Sequence, residues 1–202
     1  FMRNTSERDE VVYEAAKGDD PDIKKVPVLV TNQDILEGNA FLRRVGSDES
    51  IVKELSQRGY KQLVIIAPKW GDSALAGLYN IRKLGFNTLA ISAKSLTNEQ
   101  MEDIAVYTGG LFHDTRKGLT IDKATVDNLG FAEKVKADKD NTQVIKGCGS
   151  KEAIAKRIEE VKGEIASEED HIFKKKLERR LGALSGGIGL IRVGAETDIE
   201  RE

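Results

Sequence analysis

The stretch Gln62 to Ser92, QLVIIAPKWGDSALAGLYNIRKLGFNTLAIS, decides the fold. Leu63-Val64-Ile65-Ile66-Ala67 is a continuous apolar run, and a strand without polar residues must be covered on both faces, so it belongs in the middle of a sheet. Pro68 closes it, because proline has no N–H to give to a ladder. Gly71-Asp72-Ser73 then offers N-cap chemistry for a helix whose apolar positions Ala74, Leu75, Leu78, Ile81 and Leu84 form a stripe. Tyr79 lies four residues past Leu75, on one edge of that stripe. Gly85 ends the helix. Thr88-Leu89-Ala90-Ile91 returns as a strand, and the right-handed crossover rule makes it a parallel neighbour of the first.

The rest of the chain attaches to this βαβ unit. Toward the N-terminus, Val26-Pro27-Val28-Leu29-Val30 reads as a strand with its proline where the missing donor costs least. Thr31-Asn32-Gln33-Asp34 offers a cap for a short helix, and Ile35 to Val45 is partly helical in spacing, interrupted by Gly38 and Gly46. Ser50 opens a cleaner helix carrying Ile51, Val52 and Leu55, and Gly59 ends it. Residues 3–25 are polar, with Glu10 to Tyr13 a candidate edge strand. Toward the C-terminus, Thr97-Asn98-Glu99-Gln100 opens a helix with Met101, Ile104 and Ala105 inward, stopped by Gly109-Gly110. Leu111 to Asn128 is turn-rich. Ala132 to Lys146 alternates in the manner of two strands joined at Asp138-Lys139-Asp140-Asn141. Two helices follow, one with a seam of Ile154, Ile158, Val161 and Ile165, the other of Phe173, Leu177, Leu181 and Leu184, expected to pack as an antiparallel hairpin. Ile188 to Val193 is a last strand.

Composition narrows the function classes. Basic and acidic residues number 32 and 34, for a net charge of -2, which gives no polycationic field for nucleic acid. A single cysteine, Cys148, forms no internal disulfide and points to a reducing compartment, the cytoplasm or an organelle matrix. No apolar stretch approaches membrane-spanning length. Phe1 stands ahead of Met2, so the chain reads as a piece of a longer protein.

Catalytic chemistry is sparse. His113 and His171 lack the spacing and cysteine partners of a zinc site and read as surface residues. Cys148, between Gly147 and Gly149, reads as a turn residue more readily than as a reactive thiol. Gly147-Cys148-Gly149-Ser150-Lys151 lacks the glycine spacing and lysine–hydroxyl order of a P-loop. Gly186-Gly187-Ile188-Gly189 precedes a strand rather than a helix, which removes the helix N-terminus a pyrophosphate needs and suggests a hinge. Glu102-Asp103 and Glu168-Glu169-Asp170 read as solvated carboxylates with nothing converging on them.

Four ordered stretches together are similar to one family. They are Leu63-Val64-Ile65-Ile66-Ala67 with Asp72-Ser73-Ala74-Leu75-Ala76; Asp103-Ile104-Ala105 with Thr108-Gly109-Gly110; Ala124-Thr125 with Leu129-Gly130; and Lys176-Leu177-Glu178-Arg179-Arg180-Leu181 with Leu184-Ser185-Gly186-Gly187-Ile188 and Val193-Gly194-Ala195. From about Val26 onward the chain resembles the apical domain of group I chaperonins, the GroEL type, with the start of the returning intermediate domain. The resemblance implies an α/β fold of sheets flanked by helices, of the swivelling apical type with a C-terminal helical hairpin. It implies an apical domain over 1–188 and an intermediate segment over 189–202. It also implies a chaperone function: binding non-native polypeptides and a co-chaperonin loop in an apolar groove between two helices of a homo-oligomeric double ring. ATP and magnesium would be bound elsewhere in the full-length protein, so this fragment would hold no cofactor and would not be an enzyme.

By position, the resemblance assigns polypeptide contact to Phe1, Val52, Leu75 and Tyr79, inter-subunit contact to Asp198, and hinge motion to Gly186 and Gly187. Glu49 and Asn80 depart from the family's apolar groove positions, and the loop at Lys94-Ser95-Leu96 is short. Two other readings stay open. One is a small-molecule enzyme with its site at the strand ends, and the other a passive scaffold whose groove has lost its clients.

Overall fold

The computed structural model of the chain describes residues 11–14, 25–38, 50–138, 141–186 and 188–192, the last of these as backbone. Among them, eight strands form one curled mixed sheet flanked by five α-helices. β3 (Gln62–Ala67) is an interior strand, one place in from the end of the sheet, and its residues from Leu63 onward have no exposure at all. β2 (Val26–Thr31), likewise buried throughout, and β4 (Asn87–Ser92) pair with it in parallel on either side.

Two crossovers link these strands on one face. α1 (Ile51–Gln57) joins β2 to β3, and α2 (Asp72–Lys83) joins β3 to β4. Because strand side chains alternate, Leu29, Leu63 and Ile65 point to that face and meet Ile51, Leu55, Ala74, Leu78 and Ile81. Val28, Val30, Val64 and Ile66 point the other way. There they meet Met101, Ile104 and Ala105 of α3 (Asn98–Thr108), which returns the chain across the sheet. It delivers β5 (Phe112–His113) to the opposite edge of β2.

β5 takes the Val30–Thr31 end of that edge, and β6 (Gly130–Ala137) takes its Val26–Val28 end in the antiparallel sense. β6 also pairs with β1 (Val11–Glu14) and β7 (Asn141–Gly147), and β8 (Ile188–Arg192) completes the sheet beyond β7. α4 (Lys151–Ser167) and α5 (His171–Ser185) lie on the α3 side and contact it.

Local chemistry explains most helix boundaries. The Ser50 hydroxyl accepts from the Lys53 N–H at 3.1 Å, and Thr97 and Gln100 satisfy each other's backbone in a capping box. Gly59, Gly85 and Gly109 sit at φ of +88°, +88° and +77°, where a side chain would be strained. α2 differs from expectation. Its N-cap is Gly71, which has no side chain to make a cap bond, and the Ser73 hydroxyl inside the first turn accepts from the Gly38 N–H at 3.3 Å.

Three further expectations are corrected. Thr31 to Asp34 opens no helix: Ile35 is held in a bridge to Trp70, its N–H on the Lys69 carbonyl and its own carbonyl on the Gly71 N–H. The remainder of that predicted segment, 39–49, lies outside the described residues. β5 falls inside the stretch expected to be turns; two residues are too short to show a period, and three 3-10 turns follow it. In α5 the predicted seam residue Phe173 is 55% exposed, with the Lys176 ammonium 5.0 Å from its ring centre. Arg180 takes the buried position instead.

Candidate functional site

At 100° per residue, the buried positions Ala74, Leu78 and Ile81 of α2 leave two flanks. Leu75, Tyr79 and Arg82 project from one; Ser73, Gly77 and Asn80 project from the other. Gly38 lies against the second flank, so close that a Cβ on Gly77 would stand 2.9 Å from the Gly38 Cα. That flank therefore faces the segment that follows β2, and the Leu75–Tyr79 flank faces away from it. Tyr79 is 50% exposed, with the Lys83 ammonium 4.6 Å from its ring centre, and Leu75 is half-buried. Val52 is half-buried on α1, packed against the core shared with α2. Val52, Leu75 and Tyr79 thus share one face of the sheet, but only Leu75 and Tyr79 share a helix flank. Phe1, Gly187 and Asp198 lie outside the described residues. Gly186 ends α5 in ordinary helical geometry, its N–H on the Gly182 carbonyl at 2.9 Å.

Asp103 is not a solvated carboxylate. It is buried on α3, where Arg157 of α4 donates Nε–H at 2.6 Å and Arg180 of α5 donates through both Nε–H and an Nη2–H at 3.1 Å. Glu102 and Glu160 complete the partners of Arg157, and Glu164 adds a partner for Arg180. Burial disfavours the charge on Arg157, but the hydrogen bond and attraction of Asp103 outweigh it and raise the guanidinium pKa. The two arginines come from positions 54 and 77 residues away, so no local pattern announces the cluster.

His113 is not a surface residue either, being 1% exposed. In β5 it alternates with Phe112: Phe112 enters the α3-side core, which turns His113 to the opposite face. Its Nδ1 lies 3.2 Å from the Leu111 carbonyl, while its Nε2 is buried without a hydrogen-bond partner, and burial pushes its pKa below the ordinary value.

The gap at the ends of β2 and β5 is the reversal point where open α/β sheets take small ligands. Here it is filled by the chain itself. Asn32 donates to Asp114 at 2.7 Å and accepts from the Thr115 N–H at 2.8 Å, and Arg116 grips both Asp114 oxygens. The Arg116 guanidinium holds the Asp114 carboxyl well below the usual range, against the opposing effect of burial.

Cys148 is exposed, and partial desolvation pushes its thiol pKa up, which leaves little thiolate at neutral pH. Its glycine neighbours have a packing reason: a Cβ at Gly149 would stand 2.1 Å from the Val106 carbonyl oxygen. Among the described residues no three His, Cys, Asp or Glu side chains cluster as metal ligands, and no helix is long and apolar enough to cross a membrane. No protein-family model matches the chain.

Proposed function

We propose that this is a chaperone-type polypeptide-binding domain, akin to the apical domain of group I chaperonins, with α4 and α5 as its C-terminal helical hairpin. It captures segments of non-native chains on the α1–α2 face, Leu75 and Tyr79 being the principal contacts and Val52 a secondary one. The observation that carries this reading is the half-exposed Tyr79 beside half-buried Leu75 on one flank of α2. An aromatic ring with a polar tip gives contact area while tolerating water.

A client displays scattered apolar side chains, so its receptor needs an adaptable patch rather than a shaped pocket. Burial of ~300–600 Å² at about 25 cal/mol/Å² yields roughly 7–15 kcal/mol gross, most of it offset by ordering the bound segment. Weak, promiscuous capture follows. In the full-length protein the domain would serve a cytoplasmic homo-oligomeric ring with a co-chaperonin lid, driven by ATP and magnesium bound elsewhere and turning about Gly186 and Gly187.

The test is capture of a chemically denatured client by the double variant Leu75→Ser, Tyr79→Ser. Capture should fall by about tenfold with the fold retained by circular dichroism. Undiminished capture by a folded variant would remove Leu75 and Tyr79 from the site. The competing small-molecule reading would gain from a metabolite that raises the melting temperature and loses that effect in Asp114→Asn.

A further inference from the structure

The Asn87 N–H bonds the Lys61 carbonyl and the Ala93 N–H bonds the Ala67 carbonyl, both at 2.8 Å. In a parallel pair this parity turns the backbone groups of Asn87, Leu89 and Ile91 toward β3 and those of Thr88, Ala90 and Ser92 outward. β4 ends the sheet on that side, and no described residue bonds the outward backbone groups.

Natural sheets blunt such edges with lysine, proline or a bulge. β4 has none of these: its sequence is Asn-Thr-Leu-Ala-Ile-Ser, and its register with β3 is unbroken from Asn87 to Ser92. Leu75 and Tyr79 project from the α2 flank turned away from Gly38, and Arg82, on the same flank by helical period, lies within electrostatic reach of Tyr13 in β1. Arg82 and Lys83 are exposed and form no ion pair among the described residues.

We infer that the free edge of β4 is a docking strand, to which an extended polypeptide segment adds as a further β-strand. The segment places alternate apolar side chains under the Leu75–Tyr79 flank and a carboxylate at the Arg82–Lys83 end. This rests on the capture reading and specifies its geometry: main-chain bonds to Thr88, Ala90 and Ser92 supply sequence-independent affinity, and the α2 flank selects alternating apolar character. A six-residue strand is roughly 20 Å long. Charge favours a client segment over a second copy of the chain: the exposed Arg82–Lys83 end suits a segment that carries a carboxylate, and a second β4, Asn-Thr-Leu-Ala-Ile-Ser, has none to place there.

The experiment uses the full 202-residue chain and a fluorescein-labelled eight-residue peptide that alternates valine and threonine with one glutamate near an end. Two N-methylated versions carry methyl groups on alternate amides, one on each parity. Because a strand offers one parity to the edge, one version should bind at least about tenfold more weakly while the other stays within about twofold of the parent. Ala90→Pro removes an outward N–H without touching the ladder to β3 and should weaken the parent peptide by a similar factor. Lys83→Glu should weaken it too, with binding restored by a peptide carrying lysine in place of glutamate.

Equal binding of both methylated peptides would overturn the inference, and that comparison needs no variant to fold. If Leu75→Ser, Tyr79→Ser lowers capture while the methylated pair bind alike, the capture reading stands and the docking strand falls. If neither manipulation matters, both fall. A dimer of the chain alone that Ala90→Pro dissociates would replace the peptide with a second copy and overturn the assignment.

Discussion

The two faces of the sheet are closed in different ways. On the α3 side, three helices are pinned by one buried carboxylate, Asp103, gripped by Arg157 and Arg180, and the core beneath is sealed by Tyr107, Phe112 and Val144. On the α1–α2 side the buried stripes are just as apolar, yet Tyr79, Leu75 and Val52 are left partly uncovered, and Leu84 beyond the end of α2 is 87% exposed. A charge network has discrete geometry and favours one arrangement, whereas an apolar flank accepts many partners of different shape. The contrast lies in how each face is closed, by a buried charge network on one and by packing alone on the other; exposed apolar side chains also occur on the α3 side, at Ile172 and Phe173 of α5.

The largest expected effect breaks the charge network. Asp103→Ala leaves two partly buried guanidinium groups without their carboxylate and should cost about 3–5 kcal/mol in urea denaturation. A loss under ~1 kcal/mol would mean that the network is not what holds α4 and α5 on α3. Gly149→Ala probes the same face through packing alone, since the new methyl meets the Val106 carbonyl. It should cost about 1–3 kcal/mol by the same measurement.

His113 sharpens the comparison from beneath the α1–α2 face. Burial lowers its folded-state pKa, so the unfolded chain binds a proton that the folded chain refuses. The associated stability is present above the unfolded value of about 6.5 and is lost as pH falls through it toward the folded value. His113→Asn keeps a donor near the Leu111 carbonyl but removes the titration, and should flatten the pH 5–7 slope of the denaturation midpoint. The smallest expected effect is Tyr79→Ser, within about 0.5 kcal/mol of the parent. A large loss of stability there would place the ring in the core's service rather than a partner's.

Much of this architecture is legible in the chain because it depends on nearest neighbours and short periods. The uninterrupted run Leu63–Ala67 forces an interior strand covered on both faces, although it lies one place from the end of the sheet rather than at its middle; Ser50, Thr97, Gly59, Gly85 and Gly109 set helix ends through bonds and dihedrals a few residues away. The same locality explains the misses. Ser73 spends its hydroxyl on Gly38 rather than on its own helix, and Asp103, which looks solvated beside Glu102, finds its arginines far along the sequence. For the candidate site, the sequence could place Leu75 and Tyr79 on one edge of a helix stripe, but not say which neighbour that edge faces.

By itself the sequence determined the βαβ unit with its parallel pair β3 and β4, the strand β2 without its place in the sheet, and the stripe of α2, because alternation, helical periodicity and turn chemistry act within a few residues. Only the tertiary structure decided that His113 is buried, that Asp103 joins three helices, and that α2 turns Leu75 and Tyr79 to the flank away from Gly38. Those outcomes depend on which distant segments meet, and contacts between distant segments leave no periodic trace in a single chain.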